Sequence, residues 1–226
     1  MKNSFVMTKN VKKFNSGVEH VNHKLKGIER MLLAIGEPGL GKTRAVDHLI
    51  ATSEAIGIRA LQQMDGRWLM KVIVSELGGT PRRGKKDNWD MIVQFMTSKP
   101  RTIIFDEIDR FSKNSDILET LRDIHDVCGC PMGMVGEENA ERDLRPNRRL
   151  FRRFVDVVRF ERLGLDDIRQ FMGEVSEVRF EADAIERAAA ESCGRISELI
   201  TLVHKAEAIA RANKADKIGA RELWKS

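Results

Sequence analysis

Residues 36 to 43 read Gly-Glu-Pro-Gly-Leu-Gly-Lys-Thr and follow directly on the apolar run Met31-Leu32-Leu33-Ala34-Ile35. Few short patterns constrain a fold as tightly. A strand must deliver the loop, glycines must let backbone N–H groups wrap an anion, and a helix must open where that anion sits. The segment meets all three demands, so it implies a phosphate loop on an α/β sheet, with a nucleoside triphosphate as ligand. Lys42 would reach the β- and γ-phosphates as a point charge. The Thr43 hydroxyl would ligate the magnesium ion that bridges them. Gly36, Glu37, Pro38, Gly39, Leu40, Gly41, Lys42, Thr43 and the following Arg44 are the candidate contacts to ATP.

A second element points to hydrolysis. Thr102-Ile103-Ile104-Phe105 is a short strand of buried type that runs into Asp106-Glu107-Ile108-Asp109, a Walker B segment with its acidic pair. Asp106, at the strand's end, would hold magnesium through water. Glu107, one residue further, can face the attacking water as general base.

Periodicity supplies the rest of the organisation. Residues 1–15 are polar and read as a mobile arm, and Ser16 to Glu29 as a helix or turn with Val18, Val21 and Leu25 on one face. A helix is expected from Thr43 to Ala55, a second strand over Gly57–Leu61, and a helical stripe from Trp68 to Leu77 that stops at Gly78-Gly79. The connector Thr80-Pro81-Arg82-Arg83-Gly84-Lys85-Lys86 is basic and turn-rich, and a helix from about Trp89 to Thr97 leads back to the Walker B strand. Ile117, Leu118, Leu121 and Ile124 form another amphipathic helix. Pro131–Gly136 and Val155–Phe160 are the fourth and fifth strands. Strands that alternate with helices imply a parallel sheet covered on both faces. Beyond Leu165 only helical patterns follow, near 165–174, 182–192 and 195–212, so a boundary is placed at 161/162.

A five-stranded nucleotide sheet with a small C-terminal helical lid is the arrangement of the AAA+ P-loop ATPases, which the chain resembles over nearly its whole length. Three segments narrow the likeness: Leu121-Arg122-Asp123-Ile124-His125-Asp126, Met134-Val135-Gly136-Glu137-Glu138 and Leu150-Phe151-Arg152-Arg153-Phe154. In this order they are similar to the transposition ATPases of the phage Mu transposition protein B and TnsC type. That resemblance implies homo-oligomers, as helical filaments or rings, that bind double-stranded DNA without sequence preference when loaded with ATP and magnesium. It also implies a transposase as partner, recruited to marked target sites. Arg153 falls on the arginine of the family's L-F-x-R pattern and becomes the first candidate for an arginine finger on a neighbouring subunit, with Arg152 in reserve. Two positions depart from the wider pattern. Glu137 stands where relatives often carry a sensor asparagine, which Asn139 could replace. Ser197 stands where many lids place a sensor arginine, for which Arg195 could substitute. Both departures suit a slow, switch-like ATPase.

Thirty-nine Lys and Arg against 34 Asp and Glu give a net charge of +5, which permits a polyanionic partner. No helix-turn-helix, zinc finger or aromatic stacking platform is evident. The candidate DNA contacts are therefore Arg82, Arg83, Lys85, Lys86 and Lys113, which would grip phosphates without reading bases. Cys128, Cys130 and Cys193 contain no C-x-x-C pair and are expected to be reduced thiols, the first two at a helix–strand turn. No apolar run reaches membrane-spanning length, and a cytoplasmic location is the expectation. The alternative reading is an AAA+ loader or remodelling ATPase that acts on a protein partner.

Overall fold

The computed structural model describes residues 1–2, 4–24 and 29–224. They divide into two compact units, one made of Lys13–Gly36 with Lys42–Arg159, the other of Met1–Lys12, Glu37–Gly41 and the segment from Phe160 onward. The first unit holds, in chain order, α1 (Lys9–His23, shared with the second), β1 (Met31–Ile35), α2 (Lys42–Thr52), β2 (Ile56–Arg59), α3 (Gly66–Glu76), α4 (Lys85–Ser98) and β3 (Ile103–Asp106). A 3-10 turn (Ile108–Arg110), α5 (Ser115–Cys128), β4 (Met132–Gly136), α6 (Asn139–Leu144), α7 (Arg148–Phe151) and β5 (Phe154–Arg159) complete it. The second unit continues with α8 (Leu165–Val175), β6 (Arg179–Phe180), α9 (Ala182–Ser192), α10 (Ile196–Asn213), β7 (Lys217–Ile218) and α11 (Ala220–Leu223).

Five parallel strands form one sheet in the order β2-β3-β4-β1-β5. Every residue of β1, β3 and β4 is buried, whereas the edge strands β2 and β5 are partly open. Strands sheltered on both faces need no alternation of polar and apolar residues, which is why Met31–Ile35 and Ile103–Phe105 read as continuous apolar runs. Leu33, Ile35, Phe105 and Met134 pack with Ile73, Ile92, Ile117 and Leu121 in the main core. Local signals start the helices: Asp65 accepts the Trp68 N–H at 2.6 Å before α3, and Asn114 accepts the Ile117 N–H at 3.3 Å before α5, each satisfying an N–H that the first turn cannot pair.

Four expectations change. The arm expected over residues 1–15 is instead helical from Lys9. Val11, Phe14, Val18 and Val21 are buried on one stripe, and the buried Asn10 side chain both donates to the Glu161 carbonyl at 2.7 Å and accepts the Glu161 N–H at 3.1 Å. Leu25 lies outside the described residues. Lys85 and Lys86 belong to the first turn of α4 rather than to a loop, because Asn88 is buried and closes the preceding turn. Leu61 falls past the end of β2. The second unit is not purely helical: β6 and β7 pair in parallel beside α8, α9 and α10. Its core gathers Ile168, Phe171, Met172, Leu199 and Val203.

Candidate nucleotide site

Parallel register carries the acidic pair and its neighbours to one edge of the sheet. Ile35, the last residue of β1, pairs with Gly136, and Arg59 pairs with Asp106, so the loop after β1 and the ends of β2, β3 and β4 share the carboxyl edge, where open α/β sheets bind ligands. Lys42 opens α2 and its ammonium donates to the Gly36 carbonyl at 2.7 Å. Burial pushes the Lys42 pKa down, while Glu137, Asp106, Asp109 and Glu138 oppose that shift. The charges of four carboxylates thus act on this ammonium.

Asp106 is almost fully buried, and burial raises its pKa against hydrogen bonds from the Thr43 hydroxyl and the Glu107 N–H, the latter at 2.9 Å. One hydroxyl and one buried carboxylate, both hard oxygen donors, are a donor set that fits magnesium once phosphate oxygens complete it. Glu107 adopts φ 56°, ψ 40°, a left-handed conformation that a residue with a Cβ adopts at a cost of about 1 kcal/mol or more. That turn aims its carboxylate at two guanidinium groups, Arg59 from β2 and Arg110 from the 3-10 turn. Arg59 first, then Arg110, lower its pKa against the effect of burial. Glu107 is therefore an ionised carboxylate held between two arginines. Neither arginine belongs to a motif. The signal for Arg59 is its place at the end of the strand beside Walker B.

Around this core, the Glu137 N–H donates to Asp109 Oδ1 at 2.9 Å, and the Glu137 side chain is exposed with its charge felt at Lys42. Asn139 lies exposed at the start of α6, and Arg44 lies exposed on α2.

The tip of the phosphate loop belongs to the second unit. Gly39 and Gly41 have φ of 83° and 87°, conformations that favour glycine. The Ser197 N–H donates to the Gly39 carbonyl at 3.2 Å. A Cβ on Gly39 would sit 2.5 Å from Ser197 Oγ, and one on Gly41 would sit 2.8 Å from Ile196 Cδ1, so the side chains at the start of α10 pack against both glycines and would have to shift. Glu37 accepts from Arg162 at 2.9 and 3.0 Å and from Arg195 at 3.2 Å. These two arginines, Arg162 first, hold its carboxyl below the ordinary range. Arg195 is thus committed to the loop's own carboxylate, and Arg162 joins it without any sequence signal. Leu40 is buried and Pro38 exposed.

Arg153 is not brought to the carboxyl edge. It precedes Phe154, which pairs with Met31, at the opposite edge of the sheet. Its guanidinium forks onto Asp126 at 2.8 and 2.7 Å. Arg152 is exposed. The five candidate DNA contacts are exposed and lie apart from the nucleotide residues: Lys85 stands 3.7 Å from Asp116 and Lys113 stands 3.5 Å from Asp143.

A phosphate loop leaving the inner parallel strand β1, with an acidic pair at the end of β3 two places along the sheet, defines a P-loop nucleotide-binding protein. Within that class the chain belongs to the AAA domain family, which matches residues 26–144. Among solved structures it is similar to the Aeropyrum pernix ORC1 protein in complex with DNA, at 15% identity and a TM-score of 0.67, over 97% of this chain and 64% of that one. It is also similar to Cdc6p from Pyrobaculum aerophilum, at 16% identity and TM-score 0.72, over 96% and 66%. The Thermotoga maritima RuvB Holliday junction branch migration motor follows at 21% and 0.63, over 95% and 66%. At such identities the likeness is one of fold, and the chain spans about two thirds of the length of these structures. A comparison with curated proteins gives no match. Among the described residues no helix is long and apolar enough to cross a membrane.

Proposed function

We propose that this chain is an ATPase that assembles on double-stranded DNA when it binds ATP, and that it selects target sites for a transposase and activates it. The observation that carries the nucleotide part is the meeting of Lys42, Thr43, Asp106 and Glu107 at the carboxyl edge of the sheet. In this reading Lys42 and backbone N–H groups of the phosphate loop bind the phosphates, and Thr43 and Asp106 would hold magnesium, which would supply charge neutralisation there. Water attacks the γ-phosphorus, the bond to the bridging oxygen breaks towards ADP, and the Glu107 carboxylate takes the water's proton. Glu107 must first loosen from Arg59 or Arg110, which supports slow basal turnover that a partner can raise. Arg153 would serve a neighbour's nucleotide after leaving Asp126. Residues 16–161 act as the nucleotide-binding domain and 162–226 as the lid.

DNA as partner is supported by the exposed basic residues 82–86 and by the DNA-bound and junction-processing proteins among the similar structures. The transposase rests on the resemblance of residues 121–126, 134–138 and 150–154 alone. Phosphate release measured with and without duplex DNA tests the reading. DNA should stimulate the wild type, and Glu107→Gln should bind ATP normally yet hydrolyse it orders of magnitude more slowly. Hydrolysis indifferent to DNA, or a Glu107→Gln protein of normal rate, would overturn it.

A further inference from the structure

We infer that the DNA-contacting surface is not residues 82–86 alone but a basic track that continues into a second phosphate-binding cleft, formed by Lys113, Ser115, Arg142, Asn147, Arg148 and Arg149. The inference rests on the DNA reading above and deepens it. Its first half is a preset loop. Asn88 is fully buried, accepts the Arg82 N–H at 2.8 Å, and donates to the carbonyls of Arg82 and Gly84 at 2.8 Å each. The backbone that carries Arg82 and Arg83 is therefore fixed before any ligand arrives, which reduces the ordering cost of binding. Lys85, next in the chain, stands 3.7 Å from Asp116 in the first turn of α5. Asp116 also accepts the Gly66 N–H at 3.1 Å, so its carboxylate, the one that Lys85 faces, is anchored to the start of α3.

Immediately before Asp116, Ser115 and Lys113 line a cleft of about 840 Å³, whose other wall is α6, α7 and the turn between them. Of the two acids that line it, Asp143 is occupied by Lys113 and Arg142 at 3.5 and 3.3 Å, and Glu119 is the other. Arg148 and Arg149 have no ion pair among the described residues. Arg82, Arg83 and Lys86 likewise have none there. Five cations without an ion pair thus lie on the two segments that meet near Asp116, three beside Lys85 and two in the cleft that Ser115 lines. Repeated guanidinium forks with hydroxyl and amide donors between them suit a chain of phosphates. Trp68, exposed in the first turn of α3 near Asp116, is a single aromatic beside five cations without an ion pair, and that excess of positive charge favours the backbone of duplex DNA as occupant.

The test is fluorescence anisotropy of the full chain on labelled duplexes of unrelated sequence, with a non-hydrolysable ATP analogue, at salt concentrations from about 50 to 300 mM. Arg148→Ala with Arg149→Ala should reduce the magnitude of the log-log salt slope by about 1.8, or roughly 0.9 for each phosphate that goes unneutralised, equally for every sequence. Arg148→Lys with Arg149→Lys should keep the slope, and affinity for a fluorescent ATP analogue should not change in either variant. An unchanged slope in the alanine variant, with the wild type binding DNA, overturns the track and leaves the loop. Loss of self-association by the alanine variant in the absence of DNA also overturns it, since the cleft would then be an interface between copies. A wild type that binds no DNA sinks the underlying reading itself.

Discussion

Asp126→Asn should cost about 1 kcal/mol of stability at neutral pH, and that cost should vanish in acid. Asp126 accepts both prongs of Arg153 at 2.8 and 2.7 Å and lies 3.0 Å from His125 Nδ1. His125 Nε2 accepts the Arg30 N–H at 3.2 Å, which assigns the ring proton to Nδ1 and makes it a donor to Asp126. Burial keeps His125 below its ordinary pKa, hence neutral at pH 7. The Arg153 fork, ahead of the opposing effect of burial, holds the Asp126 carboxyl at about 2 against an ordinary 3.8. At 1.36 kcal/mol per pH unit that difference corresponds to roughly 2.4 kcal/mol. The side chain is 36% exposed, and solvent screening reduces the figure to about 1 kcal/mol. A carboxyl whose pKa is lowered by folding stabilises the fold above its unfolded value and ceases to do so as pH falls through the folded one. The wild type should therefore lose this contribution between about pH 4 and pH 2, while the amide variant never has it. Urea unfolding at pH 7, 5 and 3 measures the gap, which should not shrink from 7 to 5, since Asp126 also favours protonation of His125 there, and should shrink by pH 3. A gap that stays constant to pH 3, or none at pH 7, would refute the argument.

Lys42→Ala should weaken ATP binding by about 2–4 kcal/mol, because four carboxylates would then face the phosphates without their cation; isothermal titration reads this, and near-normal affinity would contradict it. Arg59→Ala should raise basal ATP hydrolysis by a few-fold, since one exposed ion pair holds Glu107 back by no more than about a factor of five. A slower Arg59→Ala enzyme would show that Arg59 positions the base instead of restraining it. Glu37→Gln should speed hydrogen exchange at the Ser197 amide, which bonds Gly39, because Arg162 and Arg195 would lose their shared carboxylate. Unchanged protection there would mean that the arginines do not hold the loop tip.

Much of the sheet can be read from the chain because its inner strands are buried on both faces. Met31–Ile35, Ile103–Phe105 and Met132–Gly136 carry the apolar runs that such burial demands, and the phosphate loop sits where its own glycines require it. What could not be read depends on partners distant in sequence. Arg59 gains its meaning from the register that pairs it with Asp106. Arg162 gains its own from the packing of the loop tip against the start of α10. The L-F-x-R pattern singles out Arg153 but is silent on the fork it makes with Asp126, although Asp126 closes the other diagnostic segment. Local chemistry also misled. Lys85 and Lys86 look like loop residues until the buried Asn88 is seen to close the turn before them. β6 and β7, two residues each, are too short to show alternation.

The central claim is that nucleotide binding at Lys42, Thr43 and Asp106 switches the protein onto DNA as an assembly. Electron microscopy of the full chain with duplex DNA and a non-hydrolysable ATP analogue, beside ADP and the Lys42→Ala variant, tests it most directly. The account predicts regular assemblies along DNA with the ATP analogue only, and bare DNA with ADP or Lys42→Ala. Closed rings that form equally well without DNA, or DNA coating by the Lys42→Ala protein, would contradict it.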